Sequence, residues 1–311
     1  MTVAATPADR ARLTRNAAIA SLSVAFILLL LKSYAAWATG SVAMLGSLAD
    51  TGLDLLASLV TLFGVHIAAQ PADEGHRFGH GKAEAIAAMF QVVVITVSAL
   101  AIAVRAASRL MTGDTTANAE YGIGVSIVAI LLTLCLVAYQ RNVIARTRSV
   151  AIRADNVHYQ SDLLLNGAVI AALVIEHYLG LAGADPVFGV LIALWLLYGA
   201  WRASSQALDQ LMDKEWPAER RARFLEIAAR HPELVDIHDL RTRTSGSQDF
   251  VQFHVRVDPN LTVAEAHRIM DEVETKLSVE FPDVEILIHP DPVGQIDRAG
   301  EDDERLRETP Q

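Results

Sequence analysis

Leu48-Ala49-Asp50-Thr51-Gly52-Leu53-Asp54 and Val157-His158-Tyr159-Gln160-Ser161-Asp162 sit inside two long apolar runs, and each carries a pair of ionisable side chains four residues apart. On a helix that spacing puts both members of a pair on one face. Carboxylates are costly in hydrocarbon, so where they occur they face a cavity or a partner and mark an ion pathway. The plainer reading is hydrogen-bonding glue between helices. Two pairs at the same spacing, with a histidine among them, favour the ion pathway.

The rest of the chain supplies the bilayer that this reading needs. Of 311 residues 52% are apolar and 20% charged, and the mean hydropathy is +0.31, too oily for an ordinary soluble protein. Runs long enough to cross ~30 Å of hydrocarbon cover Asn16–Trp37, Val42–Ala69, Ala83–Leu110, Tyr121–Arg141, Val157–Leu179 and Pro186–Leu208. The sequence therefore predicts a bundle of six transmembrane helices in residues 1–208. The connectors Ala38–Ser41, Met111–Glu120 and Gly180–Asp185 contain no Lys or Arg, whereas Arg10, Arg12, Arg15, Arg77, Lys82, Arg146, Arg148 and Arg153 gather on the other side. By the positive-inside rule both termini are expected in the cytoplasm. Arg105 and Arg109 run against this count and are expected to snorkel. The first run lacks a small-residue cleavage site and reads as an anchor. The single cysteine, Cys135, gives no internal disulfide and reads as a packing residue. With a formal net charge of −10 and its acids concentrated toward the C-terminus, the chain is no nucleic-acid binder, and cations are its natural partners.

From Asp209 the composition turns polar, and residues 209–296 read as a soluble domain, followed by a charged tail, 297–311, expected to be disordered. Pro217 and Glu219 open a helix to Arg230; Val235–Arg243 and Phe250–Asp258 read as strands; Thr262 caps a helix to Glu280; Val284–His289 is a last strand. This αββαβ order predicts a small α+β, ferredoxin-like domain. Alternation in the second strand buries Val251, Phe253, Val255 and Val257 and turns His254 outward.

At ~1.5 Å rise per residue Asp54 and Asp162 each lie about 10 Å from the cytoplasmic edge, so the two pairs can meet. Asp50, Asp54, His158 and Asp162 then offer three carboxylates and one imidazole, a tetrahedral set suited to zinc. Four protein ligands leave no open position for hydrolytic chemistry, and no His-Glu-x-x-His sequence occurs, so no enzyme is expected. A bound divalent ion offsets the carboxylates, and in its absence protons compete for them. Exchange of metal against protons follows if the site opens to each side in turn. A membrane sensor that binds metal without moving it is the alternative.

These residues resemble the cation diffusion facilitator family, and in particular its bacterial zinc and ferrous-iron efflux branch. Besides the two pairs, the resemblance is carried by Gln70-Pro71-Ala72-Asp73-Glu74-Gly75-His76-Arg77-Phe78-Gly79-His80-Gly81-Lys82-Ala83-Glu84, by Arg153-Ala154-Asp155, and by His238-Asp239-Leu240-Arg241. It implies a proton-coupled exporter of zinc, ferrous iron or cadmium in the bacterial inner membrane. It also implies a Y-shaped homodimer with its cytoplasmic domains in contact. Asp73, His76 and His80 would form a second metal site in a loop, and Lys82 and Asp213 a salt bridge interlocking the dimer. His238, His254, His267 and His289, with Asp291 as the bridging carboxylate, would form a paired-metal site at the cytoplasmic dimer interface. His158, where manganese-type relatives carry Asn, argues against manganese. Asp50, where zinc-selective eukaryotic members carry His, leaves cadmium and ferrous iron open.

Overall fold

The computed structural model of the chain describes residues 7–39, 42–112, 123–179, 184–282 and 284–294. It divides into two compact units, Met1–Leu208 and Asp209–Gln311. The expected tail, 297–311, and most of the three connectors without Lys or Arg lie outside the described residues.

The first unit is built from long helices: α1 (Pro7–Thr39), α2 (Val42–Ala68), α3 (Ala83–Thr112), α4 (Ile123–Thr147), α5 (Val150–Leu179) and α6 (Ala184–Leu211). Among the described residues, α1, α2, α3, α4 and α6 contain stretches long and apolar enough to cross a bilayer. The sixth long helix, α5, has 30 residues and is interrupted by Arg153, Asp155, Asp162 and Glu176. The bundle is that of a multi-pass membrane protein. Apolarity alone set several helix ends too far inward. α1 begins at Pro7 rather than Asn16, α4 runs on to Thr147, and α5 starts at Val150 rather than Val157. Hydrophobicity marks only the lipid-covered part of a helix, whereas backbone hydrogen bonding continues into water. The break between α4 and α5 is tight. Arg148 takes a positive φ of 58°, and Ser149 Oγ accepts from the Ile152 amide at 3.1 Å to cap α5.

Large apolar side chains such as Phe26, Leu30, Val97, Leu100, Val104 and Trp201 point out of the bundle, while Ala17, Ala18, Ser21, Ala57, Ser58, Gln91 and Gln140 fill its interior. This inverted pattern suits a hydrocarbon solvent, where helices associate through close packing and polar contacts. Cys135 also faces outward, not into the packing as expected; its neighbours Leu136 and Val137 take the inward face of α4.

The interior has a polar hub. Asp155 of α5 is fully buried and accepts from Ser21 Oγ of α1 at 2.6 Å, Gln91 Nε2 of α3 at 2.8 Å and Gln140 Nε2 of α4 at 2.7 Å. Gln140 in turn accepts from Asn156 Nδ2 at 2.9 Å. Tyr159 donates to the Ser21 carbonyl at 3.1 Å and lies 3.0 Å from Ser58 Oγ of α2. One turn of α5 thereby ties five helices together.

The second unit runs α7 (Ala218–Ala228), β1 (Val235–Ser245), β2 (Gln248–Val257), α8 (Val263–Glu280), β3 (Val284–Pro292), the αββαβ order read from the sequence. Its sheet has the order β1-β2-β3, with β1 antiparallel and β3 parallel to β2. Thr262 caps α8 in a reciprocal box with Glu265. Val251, Phe253 and Val255 are completely buried in one core with Phe224, Val273 and Leu277, whereas Val257, expected on the same face, is only partly buried at the end of the strand, and Phe224 packs edge-on to Phe253 at 5.7 Å.

Within the bundle α2 packs tightly against α3 at Gly64, where an added Cβ would stand 2.4 Å from Ala87 Cβ and 3.1 Å from the Ala83 carbonyl. The crowding comes from a methyl fixed to its backbone and from the backbone itself, so neither can step aside. Gly64→Val is therefore expected to cost about 1–3 kcal/mol through overpacking, read as a lowered thermal unfolding midpoint of the detergent-purified protein; an unchanged midpoint would contradict this packing.

Candidate metal centres

Three groups of ligand-type side chains converge among the described residues, and each joins residues that are distant in sequence or held by a tight turn. In each group one ligand atom per residue lies within 4.8 Å of the others.

The first is in the bundle and contains Asp54 of α2 with His158 and Asp162 of α5. His158 Nε2 and Asp54 Oδ1 are 2.9 Å apart, with His158 buried and Asp54 largely so. The other imidazole nitrogen, Nδ1, is buried without a hydrogen-bond partner, so the ring has unused ligand capacity. Asp50, the fourth residue expected here, is one turn away on α2 and exposed. It stands outside the close group but within electrostatic range of Asp162. The structure thus brings three of the four expected residues together.

The second is the loop between α2 and α3. Asp73 folds it locally, its Oδ1 accepting from the amides of Gly75 at 2.9 Å and His76 at 2.6 Å. Those amides, with the nearby histidines, hold the Asp73 carboxyl below its ordinary value of 3.8. The turn leaves Oδ2 free to face His80 Nε2 at 3.4 Å, with His76 Nδ1 3.5 Å from Oδ1. His76 and His80 stand ring beside ring at 4.4 Å. Lys82 ends this loop in the first unit, and Asp213 belongs to the second, where it faces Arg243 Nη1 at 3.8 Å.

The third group is on the sheet of the second unit. Register sets His238 of β1 opposite His254 of β2, and His254 opposite His289 of β3. Three imidazoles therefore form one row across three strands, with ring centroids 5.6 and 4.6 Å apart. Asp291, two residues beyond His289 and thus on the same face of β3, reaches all three. Its Oδ2 is 2.8 Å from His254 Nδ1 and 3.3 Å from His238 Nε2, and its Oδ1 is 3.3 Å from His289 Nε2. The close group itself is His238, His254 and Asp291; His289 joins it through Asp291 Oδ1, and His267 of α8 stays outside it, exposed, with Asp271 at 3.5 Å.

Two acids in β1 were missed by sequence reasoning. The strand shifts register on each side of His238, and Asp236 and Asp239 take positive φ values of 52° and 47° at these irregularities. Bulges re-aim side chains, and these two turn His238 toward Asp291. Asp239 also comes within 3.7 Å of His254 Nε2. Aspartate is among the residues that best tolerate this conformation, but pattern alone gives no sign of it. In the bundle Lys32 was passed over and Asp155, quoted only as part of the resemblance, was given no role, although the rule that found Asp54, an ionisable residue in an apolar span, applies to both.

A membrane bundle that turns two carboxylates and an imidazole on each other, joined to a soluble α+β domain bearing a second such cluster, has the build of a metal-cation carrier. Comparison with known proteins agrees. Residues 18–212 match the cation efflux transmembrane domain and residues 216–293 the cation efflux protein cytoplasmic domain. The cation-efflux pump FieF of Cronobacter sakazakii is 42% identical over 290 residues, 93% of this chain and 96% of that protein. FieF of Yersinia pestis is 42% identical over 282 residues, 91% and 94% of the two chains. A solved structure of CzrB in its zinc form is 38% identical, covering 28% of this chain and 99% of that one, with a TM-score of 0.24. The chain belongs to the cation diffusion facilitator family. It is a cation efflux transporter, and proteins of this family are transporters, not enzymes.

If Asp291 is the carboxylate that unites the histidine row, Asp291→Ala is expected to weaken zinc binding to the second unit at least about tenfold. Titration of full-length protein carrying Asp54→Ala and His76→Ala, to silence the other two groups, reads this directly. Unaltered affinity would dissolve the row as a ligand set.

Proposed function

We propose that this transporter exports zinc from the cytoplasm in exchange for protons, with ferrous iron or cadmium as further cargo, and that Asp50, Asp54, His158 and Asp162 carry the ion. The observation that supports this most is the 2.9 Å approach of His158 to Asp54 between two spans, with Asp162 in the same group. Carboxylate oxygen and imidazole nitrogen are common zinc donors. The same donors bind protons, so cargo and counter-ion compete for one place, and alternate exposure of that place couples their flows. The arrangement fits a protein of the inner membrane with both termini in the cytoplasm, where the proton gradient would draw metal outward.

In this proposal residues 1–208 move the ion, and residues 209–296 dimerise and regulate. Two protomers share the paired-metal site of His238, His254, His267, His289 and Asp291, and Lys82 of one protomer interlocks with Asp213 of the other. Filling the site draws the two soluble domains together and favours one arrangement of the membrane halves, a coupling set by the metal's differential affinity for the two states. Asp73, His76 and His80 offer cytoplasmic metal a further, outlying station.

Purified protein in sealed vesicles holding a metal dye and a pH dye tests the central claim. Zinc movement and an opposing proton movement are expected together, and Asp54→Ala should abolish both. Zinc flux with no proton flux would reject antiport, and binding with no flux would favour a sensor. Replacing His238 and His254 by Ala should flatten the dependence of flux on cytoplasmic zinc while leaving flux at saturating zinc measurable; an unchanged dependence would remove the regulatory role.

A further inference from the structure

Among the described residues of the bundle, Asp155 and Lys32 are ionisable side chains within the spans that the proposed transport cycle does not use. Asp155 is accounted for by its three neutral donors from α1, α3 and α4. Lys32 is different. It follows Leu28-Leu29-Leu30-Leu31 within an apolar span of α1, yet its ammonium is not carried outward as a lipid-facing lysine's would be. Nζ instead donates to Thr51 Oγ1 of α2 at 2.6 Å. Thr51 is itself buried and lies next to Asp50 and one turn from Asp54, so this hydrogen bond fixes a positive charge beside the acid-bearing stretch of α2. The same ammonium lies within electrostatic range of Asp162 on α5. It stands between the acid-bearing stretch of α2 and Asp162 of α5 and is not a member of the ligand group of Asp54, His158 and Asp162.

The charge balance gives this position a meaning, resting on the reading of Asp50, Asp54, His158 and Asp162 as the transport site. A ligating imidazole is neutral, so the three carboxylates bring three negative charges. Lys32 cancels one, leaving two for the cargo to cancel. A site that changes its exposure inside a membrane carries any uncancelled charge at a high cost in desolvation. We infer that Lys32 is the fixed counter-charge of the transport site, a specificity-determining residue that matches it to doubly charged ions. Without Lys32 the loaded site would keep one net negative charge, and a triply charged ion would become the matching cargo. The hydroxyl of Thr51 is the positioning group: it keeps the ammonium against α2 and out of the ligand set.

Full-length protein in sealed vesicles, with zinc flux read by a dye and terbium(III) as a triply charged competitor, puts this to the test. Lys32→Gln is expected to lower the KM for zinc about tenfold, the effect of removing one nearby like charge from a partly buried site. It should also lower, by about a further tenfold, the terbium concentration that halves zinc flux, expressed relative to that KM. Lys32→Arg keeps the charge and should hold both quantities at their wild-type values, which a role in packing or membrane insertion would not require. Thr51→Val keeps every charge but removes the acceptor, and should shift both quantities the same way by a smaller factor. It decides the matter should Lys32→Gln not fold. An unchanged or raised zinc KM with an unchanged terbium ratio in the folded Gln variant overturns the inference. So does the same result in the Val variant where that alone folds, or an Arg variant that behaves like Gln. Zinc flux that survives Asp54→Ala would instead strike at the transport-site reading, so the two failures are told apart.

Discussion

A charged or strongly polar side chain in hydrocarbon must be answered by another group, and the bundle is organised around such answers. α5 supplies most of the questions. Its Asp155 is met on three sides by neutral donors and welds the helices together. One turn further on, His158 meets Asp54 and Asp162, with a ring nitrogen left over. Within a single turn of helix the same physics yields a carboxylate answered on three sides and an under-satisfied cluster. The carboxylate holds the helices in register. The cluster keeps an unpaired imidazole nitrogen.

Much of this was legible in the chain. Two pairs at four-residue spacing, in antiparallel spans and at matching depth, are enough to bring Asp54 to His158, because helix geometry converts sequence number into both face and height. The soluble domain was legible for a different reason. Strand alternation in Phe250–Asp258 placed Val251, Phe253 and Val255 inward and His254 outward, and the Thr262-Glu265 box marked where α8 starts. Helix ends were less legible, since α4 runs on past its expected end at Arg141 and α5 starts before its expected start at Val157, on hydrogen bonds that hydropathy does not register.

What pattern could not supply was aim. The histidine row needs a strand that leaves its regular register twice, at Asp236 and Asp239. Asp50 likewise shares a face with Asp54 on paper and yet stands a turn apart from the close group, because sequence spacing fixes a direction around the helix but not the reach of a side chain across to α5. Asp155, too, is indistinguishable in sequence from a metal ligand. Only its three donors, drawn from α1, α3 and α4, show that it is spent on structure.

The parallel pairing of β2 and β3 has an outcome for how the row is assembled. A parallel neighbour cannot be reached by a hairpin, so the chain must travel through α8 before β3 can lie down. His238 and His254 arrive early, on a hairpin; His289 and Asp291 arrive last, on the strand that completes the sheet. Any ion gripped by both halves would act as a latch on the final strand, since prising β3 away would forfeit the carboxylate and an imidazole in the same movement.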